Sequence, residues 1–329
     1  MIPGNTQIIE IIMQSHGIDV SKYDESFLDK SIHKRITETH CASIEEYSRF
    51  LEQDNKEVSI LSDSLRVNYS EFFRNALTFA VLERIILPEL GRSMGVWECG
   101  SMGVRACAGV QENPHTHTQK NSQTRKSMGV RECGSSRKPT NSHTPSPTHS
   151  RTRKRELRIW SAACAAGQEA YSLAILLEEL KSDYGNRFSY RIFATDQDES
   201  QVNAARNGQY HAVALNNLSL KRVGQWFTRK GETYTVKAEL KKNMDFSVFD
   251  LFSENLSSPP GSIFGDFDLV FCANLLFYYK KEYRKIILEK TGKSLAAGGF
   301  LVLGEVEREI LLNYGYKEVF PHSAVFRKF

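Results

Sequence analysis

Hydrophobic and polar positions are most strongly patterned over residues 157–196. Residues 157–163 form a nearly continuous apolar run, which is typical of a buried parallel strand. A turn of small residues follows at 164–169, and the leucine spacing predicts a helix over 170–181. A second apolar run, at 188–195, ends on Asp196. The pattern therefore predicts a strand, a crossover helix and a parallel strand, which together form a βαβ unit.

Two acidic residues lie where such a unit binds its ligand, at the carboxyl ends of the strands. Asp196 ends the second strand, where an acid commonly accepts hydrogen bonds from a ribose diol. A pyrophosphate needs a glycine-rich turn and a helix start without negative charge, but this turn has Gly167 alone and places Glu169 at the helix start. Glu169 suits a ligand with ribose hydroxyls, an ammonium and a sulfonium, as in S-adenosylmethionine (SAM). An equal alternative is a first-turn acid that interacts only with the helix dipole.

The alternation of strands and helices continues to the end of the chain. Residues 245–251 and 267–272 predict a third and a fourth core strand, which end at Asp250 and Asn274. A helix at 281–296, a strand at 298–303, a helix at 305–312 and a closing hairpin at 316–329 follow. Short alternating stretches at 211–245 predict a small antiparallel appendage. The predicted fold class is α/β, a Rossmann-like doubly wound sheet with an all-α domain before it.

The first 90 residues have helical spacing. Apolar faces predict a small helical domain over residues 5–66, and Ser43 followed by Glu46 is a capping-box pattern. A further helix is predicted at 77–90, after a segment at 67–74 in which polar residues alternate with two phenylalanines. That segment is typical either of an insertion between two domains or of a helix cap with an aromatic staple.

The second predicted helix carries a basic cluster. It consists of Lys30, His33, Lys34 and Arg35. The cluster is either a solvated polar face or a docking surface for an acidic helical partner.

Residues 91–155 break the hydrophobic pattern. A Ser-Met-Gly-Val segment recurs there, beginning at Ser93, Ser101 and Ser127, among Thr, Ser, His, Pro, Lys and Arg. Such a composition buries too little apolar surface to offset the entropy of ordering, so the stretch is predicted to be a disordered insertion in a domain linker. Its cysteines and histidines fit no paired zinc-ligand spacing, and no metal site is predicted.

Charge is unevenly distributed along the chain. The net charge is +4, but residues 92–155 hold twelve lysines and arginines against three glutamates, so this insertion carries +9 and the remainder −5. The basic balance therefore does not predict nucleic-acid binding. No apolar run has membrane-spanning length and the N-terminus lacks a signal core, so we expect no membrane insertion. The six cysteines show no paired spacing, which indicates reduced thiols and a cytoplasmic protein.

Five short motifs occur in register outside residues 91–155. They are Asn68-Tyr69-Ser70-Glu71-Phe72-Phe73-Arg74, the turn at 163–172, Ala194-Thr195-Asp196, Ala205-Arg206-Asn207-Gly208-Gln209-Tyr210 and Phe271-Cys272-Ala273-Asn274. Together they resemble the CheR-type chemotaxis methyltransferases, which methylate glutamates on chemoreceptor helices. The first motif is similar to that family's N-x-T-x-F-F-R, with Ser70 in place of threonine.

The resemblance implies roles for particular residues. SAM is implied as cofactor, with its site lined by Asn68, Ser70, Arg74, Glu169, Asp196, Asp250, Leu251 and Asn274. Arg74 and Tyr278 are implied to face the methyl group, as the catalytic residues. Lys30, Lys34 and Arg35 are implied as the surface that docks the cytoplasmic helical region of a chemoreceptor. A monomer is expected.

Several residues depart from the family pattern. Ala273 stands where the family usually has arginine, and Ala165, Ala166 and Ala170 depart from its turn. Two alternatives therefore stay open: a SAM methyltransferase with another acceptor, and a SAM-binding adaptor or sensor without turnover. The predicted domains are residues 1–90, the insertion at 91–155, and a SAM-binding domain at 156–329 that includes the appendage.

Deletion of residues 92–153 should leave SAM affinity and thermal stability essentially unchanged. The reason is that an unstructured insertion between two self-contained domains contributes little to either core. Calorimetric titration with SAM and thermal denaturation of the deletion variant measure both quantities. Collapse of folding in that variant, or stoichiometric zinc in the intact chain, would contradict the prediction.

Overall fold

The computed structural model describes residues 3–16, 19–65, 69–93, 156–185, 188–262 and 265–328. Asn68 and most of the predicted insertion, from residue 94 to residue 155, therefore lie outside the described residues. Within the described ranges, no helix combines the length and the apolar character needed to cross a lipid bilayer.

The N-terminal part is all-helical, as the spacing predicted. Its helices are α1 (Pro3–His16), α2 (Glu25–Glu38), α3 (Ile44–Gln53) and α4 (Asn55–Leu65). Asp24 caps α2 by accepting a hydrogen bond from the Ser26 amide, and Ser43 caps α3 by accepting one from the Glu46 amide. Buried side chains from all four helices form the core, among them Ile8, Leu28, Tyr47 and Leu61.

A helical connection leads from this part toward the sheet. It comprises α5 (Ala76–Val81), a π-helical stretch (Leu82–Ile86) and α6 (Leu87–Ser93), where one helix at 77–90 was predicted. The apolar side of the connection, including Phe79, Leu82 and Leu90, is buried.

A mixed sheet forms the centre of the second part. Its strands are β1 (Glu156–Ala162), β2 (Ser189–Asp196), β6 (Met244–Val248), β7 (Phe267–Phe271), β8 (Leu295–Val302) and β9 (Val325–Arg327). Among the described residues they lie in the order β6-β2-β1-β7-β8-β9, with only β9 antiparallel to its neighbour. The doubly wound arrangement of strands is therefore confirmed.

The predicted appendage is a separate small sheet. It contains β3 (Gln209–His211), β4 (Phe227–Lys230) and β5 (Thr233–Val236), paired antiparallel in the order β3-β5-β4. The remaining helices are α7 (Gln168–Asp183), α8 (Glu199–Asn207), α9 (Leu220–Trp226), α10 (Ala238–Lys241), α11 (Lys281–Ser294) and α12 (Arg308–Asn313).

Alternation along β1 divides the core between the two faces of the sheet. Leu157 and Ile159 belong to the apolar cluster that includes α5, α6, α7 and the appendage. Trp160 and Ala162 belong to the other cluster, which includes the side chains of the N-terminal helices. The helical domain therefore shares its apolar core with one face of the sheet.

The strand order places a topological switch point between β1 and β7. From β1 the chain crosses to β2 on one side, while β7 pairs with β1 on the other side, with Ser161 opposite Phe271. In open α/β sheets the ligand crevice lies at the carboxyl ends of the strands at this point. The ligand crevice is therefore expected between the loops after Ala162 and Phe271.

Two predicted elements differ in extent from the observed ones. β6 ends at Val248, so Asp250 lies in the following loop instead of ending a strand. The closing hairpin has one short strand, β9, and its other arm contributes a single antiparallel bridge between Glu318 and Phe326.

Candidate functional site

A recess opens at the switch point, between the loops that follow β1 and β7. It is lined by Tyr69, Ser70, Glu71, Arg74, Asn75, Phe79, Ala163, Ala165, Glu169, Phe271, Ala273, Asn274 and Leu275. Four of the residues expected at a SAM site meet here from three separate stretches of chain. Ser70 and Arg74 precede α5, Glu169 begins α7, and Asn274 follows β7.

The turn after β1 has an unusual backbone. Ala163, Ala165 and Gly167 all have positive φ, at 59°, 46° and 91°. A side chain on Gly167 would also come within 2.9 Å of the Cβ of Ala205, so only glycine fits there. The Ala165 amide donates a hydrogen bond to Asp196 Oδ2 at 2.9 Å. The turn thereby fixes the acid at the end of β2 against the start of α7.

Glu169 is a half-buried acid of this recess, which Glu71 also lines. Ser161 Oγ donates a hydrogen bond to its Oε1 at 2.6 Å. The pKa of Glu169 is raised to about 8, mainly by burial and also by the negative charge of Glu307, while the Ser161 hydrogen bond and the charge of Arg74 oppose the rise. The free-energy cost of removing the carboxylate from water therefore exceeds the stabilisation that Ser161 and Arg74 give to its charged form. A cation bound beside Glu169 would stabilise that charged form.

The segment before α5 is held by its two phenylalanines. Phe72 is fully buried, with its ring 5.0 Å from that of Tyr210 and 5.5 Å from that of Phe227 in the appendage. Phe73 has a φ of 50°, and its amide donates a hydrogen bond to Ser172 Oγ on α7 at 3.0 Å. These contacts tie the segment to the sheet domain, one set through the appendage and the other through α7.

Arg74 is presented to the recess by these anchors. Its guanidinium lies 5.1 Å from the ring centroid of Tyr69, and its Nη1 donates a long hydrogen bond to the Tyr69 carbonyl at 3.4 Å. Its positive charge opposes the rise that burial causes in the pKa values of Glu169 and Tyr278.

A residue that the sequence did not indicate shapes the other wall. Glu307 is fully buried, and its carboxylate accepts hydrogen bonds from the amides of Asn274 at 2.7 Å, Leu276 at 2.6 Å and Gly304 at 2.9 Å. Burial raises the pKa of Glu307, and these backbone donors oppose the rise. The available signal was the Gly304-x-x-Glu307 spacing, because a glutamate three residues after an N-cap accepts from the cap amide.

Glu307 holds the loop that carries Asn274. Asn274 has a φ of 61°, a conformation that asparagine tolerates better than most residues. The approach between the two chain segments is close, since a Cβ on Gly304 would lie 2.5 Å from Asn274 Nδ2. The amide side chain that lines the recess is therefore set by a carboxylate more than thirty residues later in the chain.

The other predicted cofactor residues form a second group. Asp196 is buried, and its Oδ1 accepts a hydrogen bond from the Asp198 amide at 2.9 Å. Burial raises the pKa of Asp196, an effect that its backbone donors oppose. Asp250 is exposed and accepts from the Phe252 amide, while Leu251 is buried. Burial is the main cause of the raised pKa of Tyr279, and the charges of Asp196 and Asp250 add to it.

Tyr278 is half-buried beyond the Asn274 loop. Burial raises the pKa of its hydroxyl, the charge of Arg74 lowers it, and that of Glu307 raises it. The ring packs against Phe27 of α2 with a centroid separation of 4.9 Å. Tyr278 does not line the recess itself, although the charge of Arg74, which does, acts on its hydroxyl.

The predicted docking residues do not share one environment. Lys30 and Lys34 are exposed on α2, and Lys34 forms a weak ion pair with Glu38 at 3.9 Å. Arg35 is different, because its Nε and Nη2 donate to the buried Glu57 carboxylate at 2.8 Å and 2.6 Å. Tyr47 donates to the same carboxylate. Arg35 therefore stabilises the helical core, and an arginine so engaged is poorly available for docking.

The fold and the recess together define a class of ligand site. A recess that holds a guanidinium, a carboxylate and an amide at the switch point lies where doubly wound α/β sheets bind their ligands. The family comparison agrees: residues 139–323 match the profile "CheR methyltransferase, SAM binding domain". Residues 6–65 match "CheR methyltransferase, all-alpha domain". The chain belongs to the CheR methyltransferase family.

Individual relatives carry matching names. The chain is 37% identical over 155 residues to chemotaxis protein methyltransferase 1 of Pseudomonas aeruginosa, which covers 46% of this chain and 54% of that protein. It is 31% identical over 163 residues to the chemotaxis protein methyltransferase of Escherichia coli, covering 48% and 54%. These matches span about half the length of each relative. The chemotaxis protein methyltransferase of Listeria innocua is 25% identical over 298 residues, covering 91% and 87%.

The residues present fit SAM. The ligand carries a sulfonium, an ammonium, a carboxylate and a ribose diol, and the site offers carboxylates at Glu169 and Asp196 and a guanidinium at Arg74. Glu169 is the clearest match, because it is a half-buried acid that lines the recess and its pKa is raised, so a cation beside it would supply the missing counter-charge.

Glu169→Gln should change how stability depends on pH. Between the ordinary pKa of 4.5 and the folded value of about 8, folded Glu169 keeps a proton that the unfolded chain has lost. The free energy of unfolding of the native protein therefore falls as pH rises through this window. Glutamine does not titrate, so the variant should gain stability relative to the native protein from about pH 5 to about pH 8. Urea denaturation of both proteins without ligand measures the difference, and a constant difference would contradict the raised pKa.

Proposed function

We propose that this protein transfers the methyl group of SAM to glutamate side-chain carboxylates of chemoreceptors and forms glutamate methyl esters. One observation carries the proposal: Arg74, Glu169 and Asn274 converge from three separate chain segments on one recess at the switch point. The names of the relatives support chemoreceptors as the substrate class. The receptor region would be its cytoplasmic helices, and the enzyme would act as a monomer in the cytoplasm.

The proposed position of SAM follows from two groups of residues, those that line the recess and those near Asp196. The amino-acid end of SAM would lie in the recess, with its carboxylate near Arg74 and its ammonium near Glu169. The ribose would lie toward Asp196, whose free lone pairs accept from a diol. Bound SAM supplies an electrophilic methyl group activated by sulfur.

The chain's own residues would orient the acceptor. A glutamate carboxylate is already a nucleophile at neutral pH, so no general base is required. Because the anionic acceptor and the cationic sulfonium both lose charge in the transition state, a site that excludes water favours the reaction. Arg74 would orient the carboxylate and the Tyr278 hydroxyl would donate a hydrogen bond to it. In-line positioning would supply much of the remaining acceleration.

The docking surface would be the exposed lysines of α2. Lys30 and Lys34 are exposed and one helical turn apart, and such a pair complements an acidic helix. Arg35 would support this surface from within through Glu57, because its guanidinium is already engaged.

A second candidate function is a SAM-binding adaptor without turnover. The observation that favours it is Ala273, which lines the recess where the family usually has arginine. Radiolabelled methyl transfer to a purified receptor cytoplasmic fragment separates the two functions. Absence of turnover in the native protein, with activity restored by Ala273→Arg, would support the adaptor.

Tyr278→Phe tests the proposed chemistry, since it removes the hydroxyl and keeps the ring. Methyl transfer should fall roughly 10- to 100-fold, because one hydrogen bond to the reacting carboxylate is lost. SAM affinity should remain unchanged, as the ring does not line the recess. The measurements are single-turnover transfer and calorimetric titration.

Tyr283→Phe is the matched control, since Tyr283 is a half-buried tyrosine at the start of α11 that packs on Phe252. It should transfer methyl groups at the native rate. Equal rates in the native protein and Tyr278→Phe would show that the Tyr278 ring only packs.

A further inference from the structure

We infer that Phe27 and Asp24 are positioning residues for Tyr278, so that the first turn of the docking helix α2 holds the ring that meets the acceptor. This inference rests on the proposed function. It adds a physical connection between the proposed docking surface on α2 and the proposed catalytic residue Tyr278. The connection is visible in the backbone, in the side chains and in the spacing along α2.

The backbone joins the start of α2 to the Tyr278 loop. The Asp24 amide donates a hydrogen bond to the Tyr278 carbonyl at 2.8 Å, and the Lys280 amide donates to the Lys22 carbonyl at 2.9 Å. Tyr23 and Tyr279 pair between them as an antiparallel bridge. These bonds form a short ladder that joins the start of α2 to the Tyr278 loop through the backbone.

Side chains reinforce this ladder on both sides. The Phe27 ring meets the Tyr278 ring edge-on, at 4.9 Å and 67°, and Tyr23 stacks on Tyr279 at 5.1 Å and 14°. Arg284 links the same two segments, because its Nη2 approaches Asp24 Oδ2 at 3.4 Å and its Nε donates to the Tyr279 carbonyl at 2.6 Å. Aromatic contacts of this kind restrict ring orientation beyond the effect of simple burial.

The spacing along α2 extends the connection to the docking surface. Phe27, Lys30 and Lys34 occupy positions i, i+3 and i+7, which form one stripe along a helix. The rise of an α-helix places Lys34 about 10 Å along the axis from Phe27. An acidic helix bound to the lysines would therefore lie along a stripe whose other end supports Tyr278.

Phe27→Met tests this arrangement, since it keeps the apolar bulk and removes the ring. Phe27→Tyr keeps the ring edge and should transfer methyl groups at the native rate. Phe50→Met is the matched control, because Phe50 is likewise half-buried in the same helical core but lies on α3. Methyl transfer at saturating receptor should fall about three- to tenfold in Phe27→Met alone. SAM affinity and the receptor KM should stay near native values in all three variants.

A second readout follows the ring itself without turnover. In protein labelled with 3-fluorotyrosine, the fluorine signal lost in Tyr278→Phe belongs to Tyr278. That signal should shift in Phe27→Met and stay in place in Phe50→Met. A double-mutant cycle completes the test, because Phe27→Met should cause little further loss of rate in a Tyr278→Phe background if it acts through that residue.

The outcomes separate this inference from the proposed function. An unchanged fluorine signal in Phe27→Met, or equal rates in Phe27→Met and Phe50→Met, would overturn the inference while receptor methylation stands. A shifted signal in a protein that methylates no receptor fragment would support the packing of Phe27 on Tyr278 and overturn the proposed function.

Discussion

The buried carboxylate of Glu307 is the constraint on which the site depends. An ionised acid without water is costly unless donors surround it, and here three backbone amides at 2.6–2.9 Å do so. Those amides belong to the loop after β7 and to Gly304, so their convergence fixes the loop's path. Asn274 is thereby turned to the recess in a left-handed conformation, and the chain continues directly to Tyr278. Loss of this carboxylate would leave three buried amides unpaired and free the wall that carries Asn274.

The charge balance of the recess also depends on the exclusion of water from its carboxylates. Glu169 and Glu307 both have raised pKa values because burial disfavours their charged forms, and the negative charge of Glu307 also raises the pKa of Glu169. Arg74 offsets part of this negative charge from a segment anchored by Phe72 and Phe73. A cationic ligand complements such a site, whereas an anionic pyrophosphate does not. The single glycine of the turn and the acid at the helix start both favour a cationic ligand over a pyrophosphate.

Periodicity predicted the sheet well, because buried parallel strands read as apolar runs and their ends are marked by turn residues. The recess followed from the strand ends, and Arg74, Glu169 and Asn274 do meet there. The sequence indicated Glu307 only through the Gly304-x-x-Glu307 spacing, because two of its three backbone donors, the Asn274 and Leu276 amides, lie in another segment. The sequence also could not show that Arg35 forms an ion pair with Glu57. The helical pattern of a basic residue is the same whether its side chain faces solvent or a buried acid. Contacts between elements distant in sequence, such as Phe27 with Tyr278, leave no local pattern.

The central claim is that the recess between the β1 and β7 loops holds the amino-acid end of SAM. A crystal structure with the demethylated product, S-adenosylhomocysteine, tests it most directly. We expect its carboxylate at Arg74, its ammonium at Glu169 and beside Asn274, and its ribose hydroxyls at Asp196. Product bound elsewhere, for example in the groove lined by Glu83 and Glu179, with none of these contacts, would contradict the account.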